Sequence, residues 1–255
     1  MKANKILKNK VFLRIAAVLL TLAVWQAAAA LLDSSIFLVG PWQVLMKVFE
    51  LSGKQGFLSS VWFSLWRIAV GWTAGVAVGS ILGAAAGKWE AVRILLRPLM
   101  VSVRTVPVAS FIVIALVWLS SAQLSVFISF LMVLPIVYTN ALQGILNLDV
   151  KMEQMSRVFR MSPGRKLRYV TLPQLKPYII SACSVSAGLA WKAGIAAEII
   201  GVPTGSMGER LYQAKIYLDT AELLAWTVVI VAVSVIFEKL FILVLKKAFE
   251  SVERR

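Results

Sequence analysis

The residues of this chain that could do chemistry are few, and their types exclude more than they offer. There is no histidine, which removes imidazole acid–base catalysis, His-based zinc sites and His proton relays together. No G-x-x-x-x-G-K-[ST] run occurs, and Gly53-Lys54 and Gly87-Lys88 lack the glycine spacing and the following hydroxyl. Nucleotide hydrolysis by this polypeptide is therefore not expected. The ionisable side chains in the apolar runs are few, among them Arg67 and Arg104 near run ends and Lys192 and Glu198 deeper. Buried charge of this kind faces a bundle interior or a wet pathway. Lys192 and Glu198 stand six residues apart, about 240° around a helix, so they do not pair with each other. Each needs a partner from another helix or from water. Lys192 either borders a path, where it would favour an anion, or forms a structural ion pair. Arg67 and Arg104 either snorkel and fix helix ends or, for Arg104, join Lys192 and Glu198 as candidates for a substrate path. The single Cys183 admits no intramolecular disulfide and reads as a packing residue.

Charge is concentrated instead between two apolar runs, from Leu148 to Pro173. Leu148, Met152, Met155 and Phe159 recur at helical spacing, which predicts a short helix with one apolar face. Lys151, Gln154, Arg157 and Arg160 fill its other side. Ser162-Pro163 has the form of a helix restart, with Ser as N-cap and Pro at the first helical position. A second short helix is expected to reach Thr171 and to end at Pro173. Two such helices at an angle make a compact knob, either a docking element or a basic connector lying on anionic lipid.

The elements that must position these residues are membrane spans. Of 255 residues 60% are hydrophobic and 15% charged, against about 25% charged in a soluble domain. A spanning helix needs about 20 mostly apolar residues, and six runs qualify: about 12–32, 60–87, 100–119, 123–146, 177–201 and 223–245. Only Leu119 to Gln123 separate the third and fourth, which predicts a tight hairpin. The runs are continuous rather than alternating, so helices and not a barrel are expected. The first run, at about 21 residues, exceeds the roughly 7–15 of a secretory signal and reads as a retained span.

Six spans place both termini on one side, and that side holds most of the net charge of +15. Lys2, Lys5, Lys8, Lys10, Arg14, Lys88, Arg93, Arg97, the stretch from Lys151 to Lys176, Lys239, Lys246, Lys247, Arg254 and Arg255 lie there. Lys47, Lys54, Arg210 and Lys215 lie opposite. The positive-inside rule makes the termini and the 148–173 segment cytoplasmic. The basicity is thus a topology signal, and no nucleic-acid partner is expected.

The whole chain, 1–255, reads as one transmembrane domain. Its outer segments fall at about 33–59, where Trp42, Leu45 and Phe49 suggest a helix flat on the interface, and at about 202–222, a loop plus short helix. Gly71, Gly75, Gly79, Gly83 and Gly87 recur every four residues in the second run. They form a slowly winding groove that a second helix can approach closely, in this subunit or another.

The 148–173 segment resembles the E-A-A loop of ABC transporter permeases that work with an extracytoplasmic binding protein. That pattern is E-A-A, three residues, G, nine residues, then I-x-L-P. Anchored on Val170-Thr171-Leu172-Pro173, it aligns Gln154-Met155-Ser156 with E-A-A and Arg160 with the glycine. The start departs from the pattern and the end fits. Ser64-Leu65-Trp66-Arg67, Arg104-Thr105-Val106-Pro107 and Ala197-Glu198-Ile199-Ile200-Gly201 look like the nitrate, sulfonate and taurine importer group, and the likeness runs from about Pro41 to Lys247.

The resemblance implies an all-α polytopic bundle of the type I ABC importer permease kind, with six transmembrane helices, in a bacterial inner membrane. It implies a homodimer, cytoplasmic ABC ATPase subunits that use the ATP, and an extracytoplasmic binding protein, with no cofactor bound by this chain. Contact with the ATPase then falls to Glu153, Gln154, Met155, Arg157, Phe159, Arg160, Pro163, Gly164, Leu172 and Pro173. The group carries small anions and also neutral heteroaromatic vitamin precursors, and Lys192 tilts the reading toward an anion. The rival class, an ion-gradient-driven secondary transporter, would call for paired repeats and several intramembrane acids. A membrane enzyme would need a nucleophile–base pair.

Overall fold

The structure, a computed structural model, describes residues 2–32 and 38–254. The start of the first outer segment, 33–37, and Arg255 lie outside the described residues. Every regular element among the described residues is helical: α1 (Lys2–Leu32), α2 (Pro41–Ser52), α3 (Phe57–Lys88), α4 (Glu90–Thr105), α5 (Val108–Ala115), α6 (Ser121–Leu146), α7 (Val150–Val158), α8 (Pro163–Lys166), a π turn (Leu167–Thr171), α9 (Leu172–Gly201), α10 (Met207–Ile216) and α11 (Thr220–Arg254). Among the described residues, five helical stretches are long and apolar enough to cross a membrane, or six if the bent pair α4 and α5 is one span. The chain divides into two compact units, Met1–Leu58 with Arg210–Val229, and Ser59–Glu209 with Ile230–Arg255.

In the first unit, the Trp25 indole N–H donates to the Val39 carbonyl at 3.0 Å and fixes the approach to α2. Pro41 opens α2 at a position where its missing N–H costs nothing. The Gly40 N–H is taken up by the Gln43 side chain at 3.3 Å. Trp42, Leu45 and Phe49 are exposed along one stripe of α2, while Val44 and Leu51 are buried. Asp219 caps α11 by accepting the Glu222 N–H at 2.8 Å. Lys47 reaches Asp219 at 3.3 Å and Glu222 at 3.9 Å. Burial works against the Lys47 charge, but the Asp219 carboxylate, helped by Glu50 and Glu222, more than offsets it and holds the ammonium above the usual lysine value.

In the second unit the glycine row of α3 lies against α6 of the same chain. A Cβ on Gly75 would stand 2.8 Å from the Val133 Cβ, on Gly79 2.9 Å from the Val137 Cβ, and on Gly83 2.6 Å from the Ala141 Cβ. Gly71 meets Val126 and Gly87 meets Ile145 in the same way. Without a strong hydrophobic force between helices in lipid, such backbone approach is what holds the pair. α6 also packs along α9, with the Ser129 hydroxyl, next to Gly71, donating to the Ala190 carbonyl at 3.1 Å. Ile112, Leu124, Ile128, Ala193 and Ala197 form one buried cluster, and Ala86, Met100, Leu134, Tyr138 and Leu142 a second. Trp72 packs edge-on to Phe237 and Phe241 of α11 at 5.6 and 4.2 Å, and its N–H donates to the Ser186 hydroxyl at 3.0 Å.

Two sequence expectations need correction. The third run, expected as one helix over 100–119, is broken: α4 and α5 meet at a 100° bend. Val106 precedes a proline and is forced out of the helical region, to φ −72° and ψ 131°, and Pro107 follows at φ −57° and ψ 135°. The tight connection into α6 is present, with Ser120 leading into its first turn. Second, Pro173 does not end the second short helix. The chain stays helical from Pro163 to Gly201, through a π turn in which the Leu172 N–H reaches back to the Leu167 carbonyl. Pro173 enters in the first turn of α9, where a missing N–H is tolerated. The wider π turn absorbs the misfit that a proline imposes on an α-helix.

Candidate functional site

The 148–173 segment is built as a knob with fixed corners. Asp149 opens α7, its carboxylate accepting the Lys151 N–H at 2.8 Å. At the other end the Arg160 N–H donates to the Arg157 carbonyl at 2.9 Å, and the Met161 N–H to Ser156 at 2.9 Å. These two bonds are the Schellman closure of a helix, which needs a left-handed residue between them. Arg160 supplies it at φ 48°. The glycine of the resembled pattern aligns on this position, the one place in the segment where a side chain costs backbone strain. Ser162 then leads into α8 with Pro163 at its start; the turn forms, but the Ser162 side chain makes no capping bond.

Glu153 locks the two short helices together. Its carboxylate takes Lys166 at 3.0 Å and Arg157 at 3.1 Å, and the hydrogen bonds from Lys166 and then Arg157 hold it below the usual carboxylate range. A second clasp ties the knob to the long helix that follows. The Asp149 N–H donates to the Gln174 side-chain oxygen at 2.8 Å, and the Gln174 amide donates to the Val170 carbonyl at 3.0 Å. Gln174 stands just past the end of the resembled pattern, and its role depends on a pairing 25 residues apart that spacing alone does not signal.

The apolar side of α7 faces outward. Phe159 is 73% and Val158 79% exposed, with Val150, Met152 and Met155 also open, while the residue buried against the rest of the knob is Ser156. Gln154, Arg157, Arg160, Pro163 and Gly164 are exposed as well, and Leu172 and Pro173 are half-buried at the start of α9. A rigid, basic, apolar-faced knob is suited to docking into a groove on another protein.

The structure does not bring the three candidates for a substrate path together: Glu198 and Arg104 have separate partners and Lys192 is exposed. Glu198 is fully buried and accepts the Ser64 hydroxyl at 2.6 Å and the Gly208 N–H at 3.2 Å. Ser64 in turn accepts the Met207 N–H at 3.0 Å. Together they pin the 202–208 loop, which α9 enters through Val202 in a left-handed conformation, φ 45°. A β-branched residue keeps such a conformation only where its surroundings over-determine it. Arg104 donates to the Pro135 carbonyl at 2.6 Å and to the Thr139 hydroxyl. Lys192 is exposed, on the face of α9 shared by Ser181 and Val185. Arg67 donates to the Ala122 carbonyl at 2.7 Å and lies over the Phe63 ring at 3.4 Å, fixing the start of α6. A further acid inside a span, Glu238, accepts the Ser184 hydroxyl at 2.6 Å; one carboxylate in a run as apolar as 223–245 leaves little hydropathy signal.

The family profile described as "Binding-protein-dependent transport system inner membrane component" matches residues 75–254. The chain is 29% identical over 239 residues to the taurine transport system permease protein of Escherichia coli (strain K12), covering 91% of this chain and 86% of that one. It is 28% identical to the nitrate import permease protein of Synechocystis sp. (strain ATCC 27184 / PCC 6803 / Kazusa), over 72% of this chain and 70% of that one. It is 30% identical to the bicarbonate transport system permease protein of Synechococcus elongatus (strain ATCC 33912 / PCC 7942 / FACHB-805), over 54% of this chain and 50% of that one.

Proposed function

The chain belongs to the family of binding-protein-dependent transport system inner membrane components, and on that premise we propose that it forms the translocation path of an ABC importer for a small anion. Two copies enclose the path as one permease domain each, with both termini in the cytoplasm. A separate ATPase subunit hydrolyses ATP, and an extracytoplasmic binding protein delivers the solute. The observation that carries this reading is the clasped knob: Glu153 joins its two helices and Gln174 joins it to α9, so displacement of the knob displaces a spanning helix. The residues that meet the ATPase are Gln154, Met155, Arg157, Phe159 and Arg160 on α7 and its corner. Glu153, Pro163, Gly164, Leu172 and Pro173 hold them in place.

The anion preference rests on charge. Lys192 is exposed along a spanning helix, and an ammonium there is stable only beside water or a counter-charge. The similar proteins named for taurine, nitrate and bicarbonate support a small charged or zwitterionic solute. Affinity purification in mild detergent tests the assignment. A nucleotide-binding subunit is expected to co-purify, and solute uptake into vesicles is expected to require ATP. Uptake that ignores nucleotide and collapses with an ion gradient would replace this reading by that of a secondary transporter.

A further inference from the structure

A trough of about 440 Å³ opens between α4 and α6, lined by Arg93, Arg97 and Arg104 on one side and Tyr138 and Thr139 on the other, with Glu90 at one end. Its volume is that of a small-molecule site. The three arginines stand at i, i+4 and i+11, within about 40° of one another around α4. Positive-inside topology accounts for basic residues at a cytoplasmic helix end, but not for their convergence on one cavity. Arginines serving topology alone would snorkel toward headgroups, whereas Arg104, though exposed, is bound back onto α6 by the Pro135 carbonyl and the Thr139 hydroxyl. Arg93 is paired with Glu90 at 3.1 Å. That leaves three guanidinium groups against one carboxylate in one cavity, with Arg97 exposed between the two anchored ones. Planar guanidinium forks match the oxygens of a sulfonate, sulfate, carboxylate or phosphate group, and the Tyr138 hydroxyl adds a donor of the right kind, while the Thr139 hydroxyl donates to the Pro135 carbonyl at 2.8 Å and accepts from Arg104, anchoring that arginine.

We propose that this trough is an oxyanion-binding site in the half of the bundle that carries the start of α4. Its placement on the cytoplasmic side of the translocation path rests on the permease reading above; the binding itself does not. The occupant is either the transported anion on its way out or the phosphate of an anionic lipid, and both present the same chemistry to the three arginines.

The test is equilibrium binding of radiolabelled sulfate to the full chain with its ATPase in nanodiscs of phosphatidylcholine, which carry no anionic headgroup. Saturable binding is expected, competed by methanesulfonate and not by glycerol. Arg97→Gln, at an exposed position away from the helix contacts, should weaken it at least tenfold, and Arg97→Lys should retain part of it. Arg93→Gln provides a second variant should Arg97→Gln alter folding. Added phosphatidylglycerol that displaces sulfate would assign the trough to lipid phosphate; sulfate that stays bound would assign it to a soluble oxyanion. Absence of saturable binding, or unchanged affinity in both glutamine variants, overturns the proposal. ATP-driven uptake by a transporter that binds no sulfate would remove the trough and leave the permease reading. Sulfate binding to a chain that neither recruits an ATPase nor drives uptake would do the reverse.

Discussion

Arg160 carries the single-residue tension within the knob. The Schellman closure around it needs a left-handed backbone, which costs a side-chain-bearing residue about 1–2 kcal/mol relative to glycine. Arg160→Gly is therefore expected to stabilise the knob by about 1 kcal/mol, and Arg160→Val to destabilise it by at least as much. Amide hydrogen exchange over 156–161 reads both, and slower exchange in the valine variant would contradict the geometry. Arg160 could be singled out from the sequence because the resembled pattern has glycine there. Other residue-level facts were not legible in this way. Glu153 pairs with Lys166 across 13 residues, and Glu198 with Ser64 across 134. Periodicity places a residue on a face, but a partner on another element is chosen only when the elements pack.

At the scale of elements, the apolar runs located the spans closely, because runs of about 20 apolar residues have few alternatives in a bilayer. The two misjudged places both involve proline. Pro107 broke a run that hydropathy reads as continuous, whereas Pro173 sits within a helix that its presence was expected to stop. Local rules for proline cannot tell a bend from an accommodated turn without the neighbouring helices. The glycine row predicted close approach, and α6 proves to be the partner. Gly79→Leu would drive a side chain into Val137 and the Tyr138 backbone, an overpacking that costs about 1–3 kcal/mol or more. Its thermal midpoint in detergent should fall, while Gly188→Ala, which meets nothing within 4 Å, should leave it unchanged or higher. Gln174→Ala removes the clasp between α7 and α9. It is expected to leave ATPase association intact but to lower solute moved per ATP several-fold; an unchanged ratio in proteoliposomes would mean that the knob is held by other contacts.

For the whole molecule, the proposed logic is that of a machine whose energy source lies in another subunit. The chain has no histidine and no phosphate loop, and the family to which it belongs is one of transport components. Six apolar runs and one ordered, basic segment between two of them were enough to anticipate an all-helical membrane protein of this family. Substrate identity was not legible, because a basic side chain such as Lys192 speaks at most to a charge type and not to a molecule. The knob is the part on which the proposed mechanism turns, and Phe159 is the aromatic side chain open at its corner, 73% exposed. The deciding measurement is ATP-driven uptake by proteoliposomes carrying Phe159→Asp, with membrane insertion checked in parallel. Uptake is expected to fall at least tenfold, together with loss of the co-purifying ATPase; normal uptake by a correctly inserted variant would contradict the coupling role of the 148–173 knob.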